Sequence, residues 1–210
     1  MANIFDELIT KGIRAGKVPA RTEEARKWYR EIASKQGRIN ERQLINSDSD
    51  RITKVIKPGA MYMYLYDPKH KDTLPYYDRA PLIFPFKIER GRFWGINLHY
   101  LPLELRAKLM DALYGTRINS RYDESTRLRI SYQTLNSAAK FRYFEPCVKQ
   151  YLFNHMQSKF MYIFPSEWDI ALWLPTERFA KASKTQVWAD SKKKVLRSML
   201  AVLAVQSQKL

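Results

Sequence analysis

The chain has 210 residues, with 37 lysines and arginines against 21 aspartates and glutamates, which gives a formal net charge of +16 at pH 7. Its 45% hydrophobic and 13% aromatic content is typical of a folded chain and excludes general disorder. The length suits one domain with helical arms and argues against a multidomain enzyme. One cysteine, Cys147, can neither form a disulfide within the chain nor build a cysteine-rich zinc site.

The N-terminal segment and the apolar stretches give no sign of membrane insertion. Residues 1–17 mix charged with apolar side chains, so we expect no signal peptide. The longest weakly polar stretch, residues 195–205, contains Arg197 and is too short to cross a bilayer. With the single cysteine, these features predict a soluble protein made in a reducing compartment and without a membrane partner.

The positive charge is concentrated at the two ends of the chain. Residues 1–60 hold 13 basic and 8 acidic side chains, and residues 181–210 hold 7 and 1, so 11 of the 16 net charges lie there. The middle of the chain carries most of the aromatic residues and is closer to balance. A terminal basic surface around a central core is therefore expected.

Two helices are predicted near the N-terminus. Apolar residues recur at helical spacing over residues 5–13, and Gly16 ends that stretch. Thr22 is suited to cap a second helix. Residues 38–57 are polar and basic, which predicts an exposed connector. We therefore group residues 1–57 as a helical, basic N-terminal arm.

Residues 58–182 are predicted to form the core domain. Within it, residues 61–66 alternate in character, as a strand covered on both faces requires. The tyrosines at 62, 64 and 66 share one face, where packing into a core is favoured over stacking on bases. Further strands are predicted over residues 82–89, 93–98, 160–164 and 168–174.

The strands over 82–89 and 93–98 form a hairpin candidate that turns at residues 90–91. Pro85 lies inside the first of these strands. Because proline cannot donate to a strand ladder, it predicts an edge position or a bulge.

Helices are predicted between and after the strands. Pro102 suits the first turn of a helix that Gly115 ends, and further helices begin at residues 123–125 and at Pro146. Residues 183–210 form a predicted basic C-terminal helix. The fold class is therefore α+β: a small, mainly antiparallel sheet, which could take a partly open, barrel-like form, with inserted helices.

The sequence carries no motif of the common nucleotide-binding or hydrolase sites. It has no GxxxxGK[ST], GxGxxG or GxSxG segment. His70, His99 and His155 lack the spacing of paired metal ligands, and Cys147 reads as a buried residue rather than a nucleophile. We therefore expect no cofactor, no metal, no small-molecule substrate and no catalytic residue.

A nuclease is the alternative from the enzyme class, because clustered acids in a basic protein can hold a metal against a phosphate. The candidate carboxylates are Asp67, Asp72, Asp78 and Glu89. Each has a nearby base that could pair with it instead, which favours a structural role.

Clusters of lysine and arginine indicate a polyanionic partner, since they neutralise phosphates and release counterions. The strongest cluster lies in the C-terminal helix, and weaker ones lie in the arm and in a turn after the first core strand. The candidate DNA-binding residues are Lys192, Lys193, Lys194, Arg197, Arg38, Arg42, Arg51, Lys54, Lys69 and Lys71.

Several stretches together resemble a known family: MYMYLYDPKHKDTLPYYDRAPLIFPF, GINLHYLPLELRAKLMDALY, KFRYFEPCVKQYL, EWDIALWLPTERF and VWADSKKK. They are similar to the DNA end protector proteins of T-even-like tailed bacteriophages and their marine relatives. The likeness extends over about residues 58–194, and GRINERQLINSDSDR in the arm is similar too. These stretches contain no catalytic signature.

The resemblance implies a virion protein that joins late in head completion and lies on the end of the packaged linear genome. It would enter the host with that end and shield it from exonuclease. A neck, portal-vertex or tail-assembly protein whose basic face lines the DNA channel is the first alternative, and a head-completion nuclease is the second. Partners are then double-stranded DNA and other virion proteins, assembled in the host cytoplasm.

Overall fold

A computed structural model describes residues 3–19, 22–117, 133–137 and 144–207 of the chain. Seven α-helices lie within these ranges. They are α1 (Ile4–Arg14), α2 (Glu23–Ser34), α3 (Glu41–Asn46), α4 (Leu103–Arg117), α5 (residues 133–137), α6 (Trp168–Trp173) and α7 (Lys184–Ser207).

Eight strands form two antiparallel sheets. They are β1 (Ile52–Thr53), β2 (Met61–Met63), β3 (Tyr77–Asp78), β4 (Leu82–Glu89), β5 (Arg92–Asn97), β6 (Val148–Leu152), β7 (Phe160–Ile163) and β8 (Phe179–Ala180). The larger sheet has the order β1-β7-β2-β4-β5-β6, and β3 pairs with β8 in the smaller one. The α+β, mainly antiparallel prediction is confirmed. The larger sheet is open, because its edge strands β1 and β6 do not pair.

The large sheet separates two apolar clusters. Met61 and Met63 lie in the cluster beneath the helices, whereas Tyr62 and Tyr64 lie in an aromatic cluster on the opposite face, together with Tyr66. All five side chains are buried. The predicted alternation and the core role of the tyrosines are therefore confirmed, although β2 itself ends at Met63.

The first two helices begin and end where the sequence indicates. The Asn3 side chain caps α1, and Gly16 follows it with a φ of +71°, a conformation that glycine adopts without strain. Thr22 Oγ1 accepts from the Ala25 amide at 3.1 Å and caps α2. Phe5 and Tyr29 from these helices are buried in the same cluster as the sheet.

Residues 38–57 are more ordered than the predicted exposed connector. They contain α3, a 3₁₀ turn and β1, and Leu44, Ile45 and Arg51 are buried. That prediction was wrong. The mostly polar composition of the segment suggested exposure, but its few apolar side chains, which include Leu44 and Ile45, pack into the core and anchor the segment.

The β4–β5 hairpin is confirmed, with Gly91 at the turn in a positive-φ conformation. Pro85 causes a break in register between Pro85 and Lys87, as a bulge requires, but β4 is an interior strand rather than an edge strand. The backbone therefore accommodates the missing donor by a bulge alone.

Two predicted elements have the opposite structure. The helix expected from Pro146 is a 3₁₀ turn followed by β6, and the strand expected over 168–174 is α6. Short apolar runs fit the residue spacing of both a helix and a strand, so tertiary contacts decide which one forms. Residues 148–152 pair with β5, and residues 168–173 are buried against α2. The helix at Pro102 is confirmed but continues past Gly115, and most of the helix predicted from residues 123–125 lies outside the described residues.

Candidate nucleic-acid interface

A basic cleft of about 550 Å³ opens beside the small sheet. Its lining comes from the loop before α3, α3 itself, the segment after β2, β3 and its continuation, and the segments before β7 and β8. The basic residues in the lining are Arg38, Arg42, Lys71, Arg79 and Arg178, and the acidic ones are Glu41 and Asp67. Three of the sequence-predicted residues, Arg38, Arg42 and Lys71, therefore line the same cleft, although 29 positions separate Arg42 from Lys71.

Two of the five bases have carboxylate partners. Lys71 Nζ lies 2.9 Å from Asp67 Oδ2, and Arg178 Nη2 lies 2.5 Å from Glu41 Oε1. The other three bases, Arg38, Arg42 and Arg79, are exposed and pair with no carboxylate among the described residues. The cleft therefore keeps three uncompensated guanidinium groups, whose planar donors suit phosphate oxygens.

Backbone hydrogen bonds hold the walls of the cleft in place. The Arg79 amide donates to the Arg178 carbonyl at 2.8 Å, and the Tyr66 amide donates to the Arg79 carbonyl at 3.0 Å. The Arg178 side chain donates to the Ile39 carbonyl at 2.7 Å, which ties the loop carrying Arg38 to this frame. These hydrogen bonds join the three segments that form the cleft.

Lys181 fixes the turn that carries Lys71. Its ammonium donates to the carbonyls of Lys71, Asp72 and Leu74 at 2.6, 2.9 and 3.1 Å. Lys181 has a φ of +68°, which is uncommon for a residue with a side chain. The hydrogen bonds of its ammonium therefore join this turn to the residue that follows β8.

The second basic surface lies on α7. Lys192, Lys193, Lys194 and Arg197 are all exposed, as predicted, and within the described residues none of them forms an ion pair. At about 100° per residue, Lys193, Lys194 and Arg197 lie on one side of α7, and Lys192 lies at the edge of that side, beside the groove with α4. This arrangement fits the phosphates of a DNA backbone, which follow one another at short intervals.

The remaining residues predicted to bind DNA differ in how exposed their side chains are. Lys69 and Lys54 are exposed. Arg51 is only 5% exposed, and it pairs with Asp48 at 2.6 Å, with Asp6 at 3.4 Å and with Glu167. Because three carboxylates already compensate its charge, we leave Arg51 out of the proposed DNA-contacting set.

A buried polar network surrounds Asp78, one of the acids considered for a nuclease. Asp78 Oδ2 lies 2.7 Å from His99 Nδ1 and accepts from Asn97 Nδ2 at 3.0 Å, and His99 Nε2 lies 3.2 Å from Thr176 Oγ1. Burial raises the pKa of Asp78, but its contacts with His99 and Asn97 outweigh that effect and hold the pKa below its usual value. The side chains of Asp78, His99 and Thr176 are each at most 3% exposed, so this carboxylate anchors the fold.

The other candidate acids are dispersed. Asp67 pairs with Lys71, Glu89 pairs with Lys87 and Arg92, and Asp72 lies exposed in the turn. Among residues 3–19, 22–117, 133–137 and 144–207, no three carboxylate, imidazole or thiol groups cluster in a way that could hold a metal ion.

The region between the sheet and α7 contains a half-buried lysine. Lys149 Nζ lies 4.1 Å from the centre of the Tyr100 ring, and burial, with the charge of Lys194 nearby, lowers the pKa of Lys149 to about 8. Burial also raises the pKa of the Cys147 thiol to about 12. The cysteine is therefore a protonated core residue at neutral pH, as the sequence indicates.

Sequence reasoning missed Arg79 and Arg178. Each is a basic residue within an aromatic, near-neutral part of the chain, where no run of charge draws attention to it. Only the pairing of β3 with β8 brings the two together, because Asp78 lies opposite Phe179 in that ladder.

Within the part of the chain that the structure describes, every helix is too short or too polar to span a membrane.

The similarity of the chain to a known family is consistent with the basic surfaces described above. No curated protein and no solved structure matches the chain. A family model described as the phage T4 terminal DNA protecting protein matches residues 1–198, which confirms the resemblance noted in the sequence. Because this match extends over nearly the whole length, the chain belongs to the family of phage T4 terminal DNA protecting proteins.

Proposed function

We propose that this protein binds the end of the linear double-stranded genome packaged in a phage particle and shields it from exonuclease by covering it. The observation that carries the proposal is the family match over residues 1–198, whose name specifies terminal DNA protection. The exposed bases of the cleft and of α7 support it, since they supply the charge that a phosphate backbone requires. No catalytic step is needed for protection by occlusion.

The α7 face, formed by Lys192, Lys193, Lys194 and Arg197, provides the contact that does not depend on sequence. Flexible lysines bind phosphates as point charges and carry no information on base identity. An end cap must hold whatever sequence lies at the genome terminus, so this kind of contact suits it. The exposed bases of the arm, Arg38, Arg42 and Lys54, add to the attraction.

We place the protein in the virion, in the head or neck region. A protein that covers a genome end can join only when that end exists, which is after the packaged DNA has been cut. Binding would therefore coincide with head completion in the host cytoplasm, and the protein would enter the next host with the DNA end it covers.

The deciding experiment compares linear with closed-circular duplex DNA of the same sequence in a gel-shift titration. We expect tighter binding to the linear form and slower digestion of its ends by an added exonuclease. Equal affinity for both forms would overturn end binding. Incubation with Mg²⁺ and labelled linear DNA, without added exonuclease, should leave the DNA intact, and its degradation would support the nuclease alternative instead.

A variant with Lys192, Lys193 and Lys194 changed to Gln tests the α7 surface. Loss of three phosphate contacts should reduce the slope of log K against log salt by up to about 2.7. The matched control changes the exposed Lys11, Lys27 and Lys35 to Gln, which lowers the net charge equally. An equal loss in the control would mean that overall charge, and not this surface, determines binding.

A structural role at the neck is the second candidate, and an apolar groove between α4 and α7 favours it. Leu105, Val195 and Leu196 line this groove of about 370 Å³, and Leu196 is 58% exposed. A neighbouring virion protein could bury these side chains. The uncharged change Leu196→Gln should then prevent incorporation into particles without changing the affinity for linear DNA, whereas normal incorporation would argue against this role.

A further inference from the structure

The basic cleft and the α7 face have different shapes, and the difference suggests different ligands. The α7 bases project from a convex helix surface, which can follow a continuous DNA backbone. The cleft is concave, and its volume of about 550 Å³ falls in the range of about 300–1,000 Å³ that is typical of small-molecule sites. A concave cleft of this kind can receive the end of a ligand.

The body of a duplex cannot enter the cleft. The volume of about 550 Å³ is that of a small-molecule site, whereas a duplex is a much larger ligand, since its major groove alone is about 12 Å wide. A single terminal nucleotide, frayed from the end of a duplex, is small enough to enter. Among the parts of a DNA molecule, a chain end or an unpaired nucleotide therefore fits this site better than the body of a duplex.

The charge of the cleft suits a terminal phosphate. A phosphomonoester carries a charge of about −1.5 to −2 at pH 7 and three acceptor oxygens, whereas an internal phosphodiester carries a single negative charge. Arg38, Arg42 and Arg79 provide three guanidinium groups without carboxylate partners among the described residues. The excess positive charge therefore matches the monoester better than an internal phosphate.

The lining also offers a surface for the base. Tyr77 is half-buried at the edge of the small sheet and lines the cleft together with Leu65 and Ala80. An aromatic ring beside a phosphate site can stack on any base without selecting its identity. The hydrogen bonds that join Arg79 to Arg178 and Arg178 to Ile39 hold the site open, so little ordering is needed on binding.

We propose that the cleft binds the terminal nucleotide of a DNA strand, with the terminal phosphomonoester held by Arg38, Arg42 and Arg79 and the base against Tyr77. This inference rests on the proposed function, since it assumes that DNA ends are the ligand. It adds a chemical basis for recognising an end: the monoester and the unpaired nucleotide occur at a terminus and not along the duplex. Arg178, which is bound to Glu41 and to Ile39, acts as a positioning residue.

The test uses the full chain and a set of duplexes that differ only at their ends. One end of each is closed by a hairpin loop, and the open blunt end carries a 5′-phosphate, a 3′-phosphate or hydroxyl groups only. A dumbbell closed at both ends serves as the DNA without a terminus. Fluorescence anisotropy measures each affinity, and the two phosphate arms identify which strand end supplies the monoester.

We expect a phosphorylated end to bind about tenfold or more tightly than the hydroxyl end, as charge-assisted hydrogen bonds to arginine would produce. A variant with Arg38, Arg42 and Arg79 changed to Gln should lose this preference, and its affinity for the dumbbell should fall no further than that of a control variant that loses three other positive charges. The control with Lys11, Lys27 and Lys35 changed to Gln should keep the preference. The single variant Arg79→Gln should reduce it, which provides a second measurement if the triple variant does not fold.

The possible outcomes separate the two proposals. Equal binding of phosphorylated and hydroxyl ends, with weaker binding of the dumbbell, would overturn the terminal-phosphate site and leave end protection standing. An unchanged phosphate preference in the Arg79→Gln and triple variants would overturn the assignment to this cleft. Equal binding of all the duplexes and the dumbbell would overturn end binding itself.

Discussion

Arg106 is fully buried where α4 meets the turn before it and α6, and its substitution tests how the cleft is supported. Its guanidinium donates to the carbonyls of Leu101, Leu172 and His99 at 2.8, 2.8 and 3.3 Å, and Nη2 lies 2.7 Å from Glu177 Oε1. Glu177 directly precedes Arg178 of the cleft. The single side chain therefore connects the core to one wall of the proposed site.

Arg106→Met should reduce the free energy of unfolding by about 3–5 kcal/mol, because it leaves the carboxylate of Glu177 buried without its countercharge. The carbonyls of Leu101 and Leu172 also lose the Arg106 donor, whereas the His99 carbonyl still accepts from Trp188 Nε1 at 2.8 Å. A double variant, in which Arg106 is changed to Met and Glu177 to Leu, also removes the buried carboxylate that the single variant leaves without a countercharge. We expect the double variant to lose less stability than the sum of the two single variants, with a coupling of about 1–3 kcal/mol.

Urea unfolding followed by tryptophan fluorescence and circular dichroism measures these differences. The control is Lys108→Met, an exposed position on the same helix, which should change stability by no more than about 0.5 kcal/mol. A loss below about 1 kcal/mol for Arg106→Met, or additive losses in the double variant, would refute the reasoning from a buried, coupled pair.

Three further substitutions test other parts of the fold. Gly12→Ala should reduce the free energy of unfolding by about 1–3 kcal/mol, because the added Cβ would lie 2.0 Å from Tyr29 Oη. The control is Gly37→Ala, where the added Cβ meets nothing within 4 Å. Thermal unfolding compares the two variants, and similar melting temperatures would contradict the close packing at Gly12. Lys149→Met removes a base whose folded pKa is about 8. The unfolded chain keeps that proton up to about pH 10.4, so wild-type stability relative to the variant should rise between about pH 8 and 10, and a flat difference in urea unfolding would refute it. Asp78→Asn removes a carboxylate with a lowered folded pKa, whose stabilisation is present above about pH 4 and lost as pH falls through the folded value. The variant should be less stable at neutral pH, and the gap should close in acid; a gap that stays constant down to pH 2 would contradict it.

Local patterns in the sequence predicted several elements correctly because their causes are local. Thr22 and Gly16 mark helix ends through their own hydrogen bond and backbone preference. The alternation of residues 61–66 fixes which side chains share a face, whatever lies on either side. The exposed bases of α7 were also predictable, since a run of lysines in a helix has no means of burial.

The elements that sequence reasoning missed are those in which a distant partner decides the outcome. Residues 148–152 form a strand because β5 offers an edge for pairing, and residues 168–173 form a helix that is buried on most sides. Short apolar runs of this kind carry no period that distinguishes the two structures. Arg51 illustrates the same limit for charge, since its burial depends on Glu167, more than 100 positions away.

The amino-acid sequence is sufficient to establish the excess of positive charge, its concentration at the chain ends, and the likeness to a family named for protecting terminal DNA. Which of those charges stay free to contact a ligand depends on the tertiary structure. It pairs Arg51 internally and brings Arg38 and Arg42 from the arm to Arg79 beside β3, because the β3–β8 ladder and the Arg178–Ile39 hydrogen bond join three distant segments. A net charge is a sum over residues, whereas a binding cleft depends on where the backbone places them.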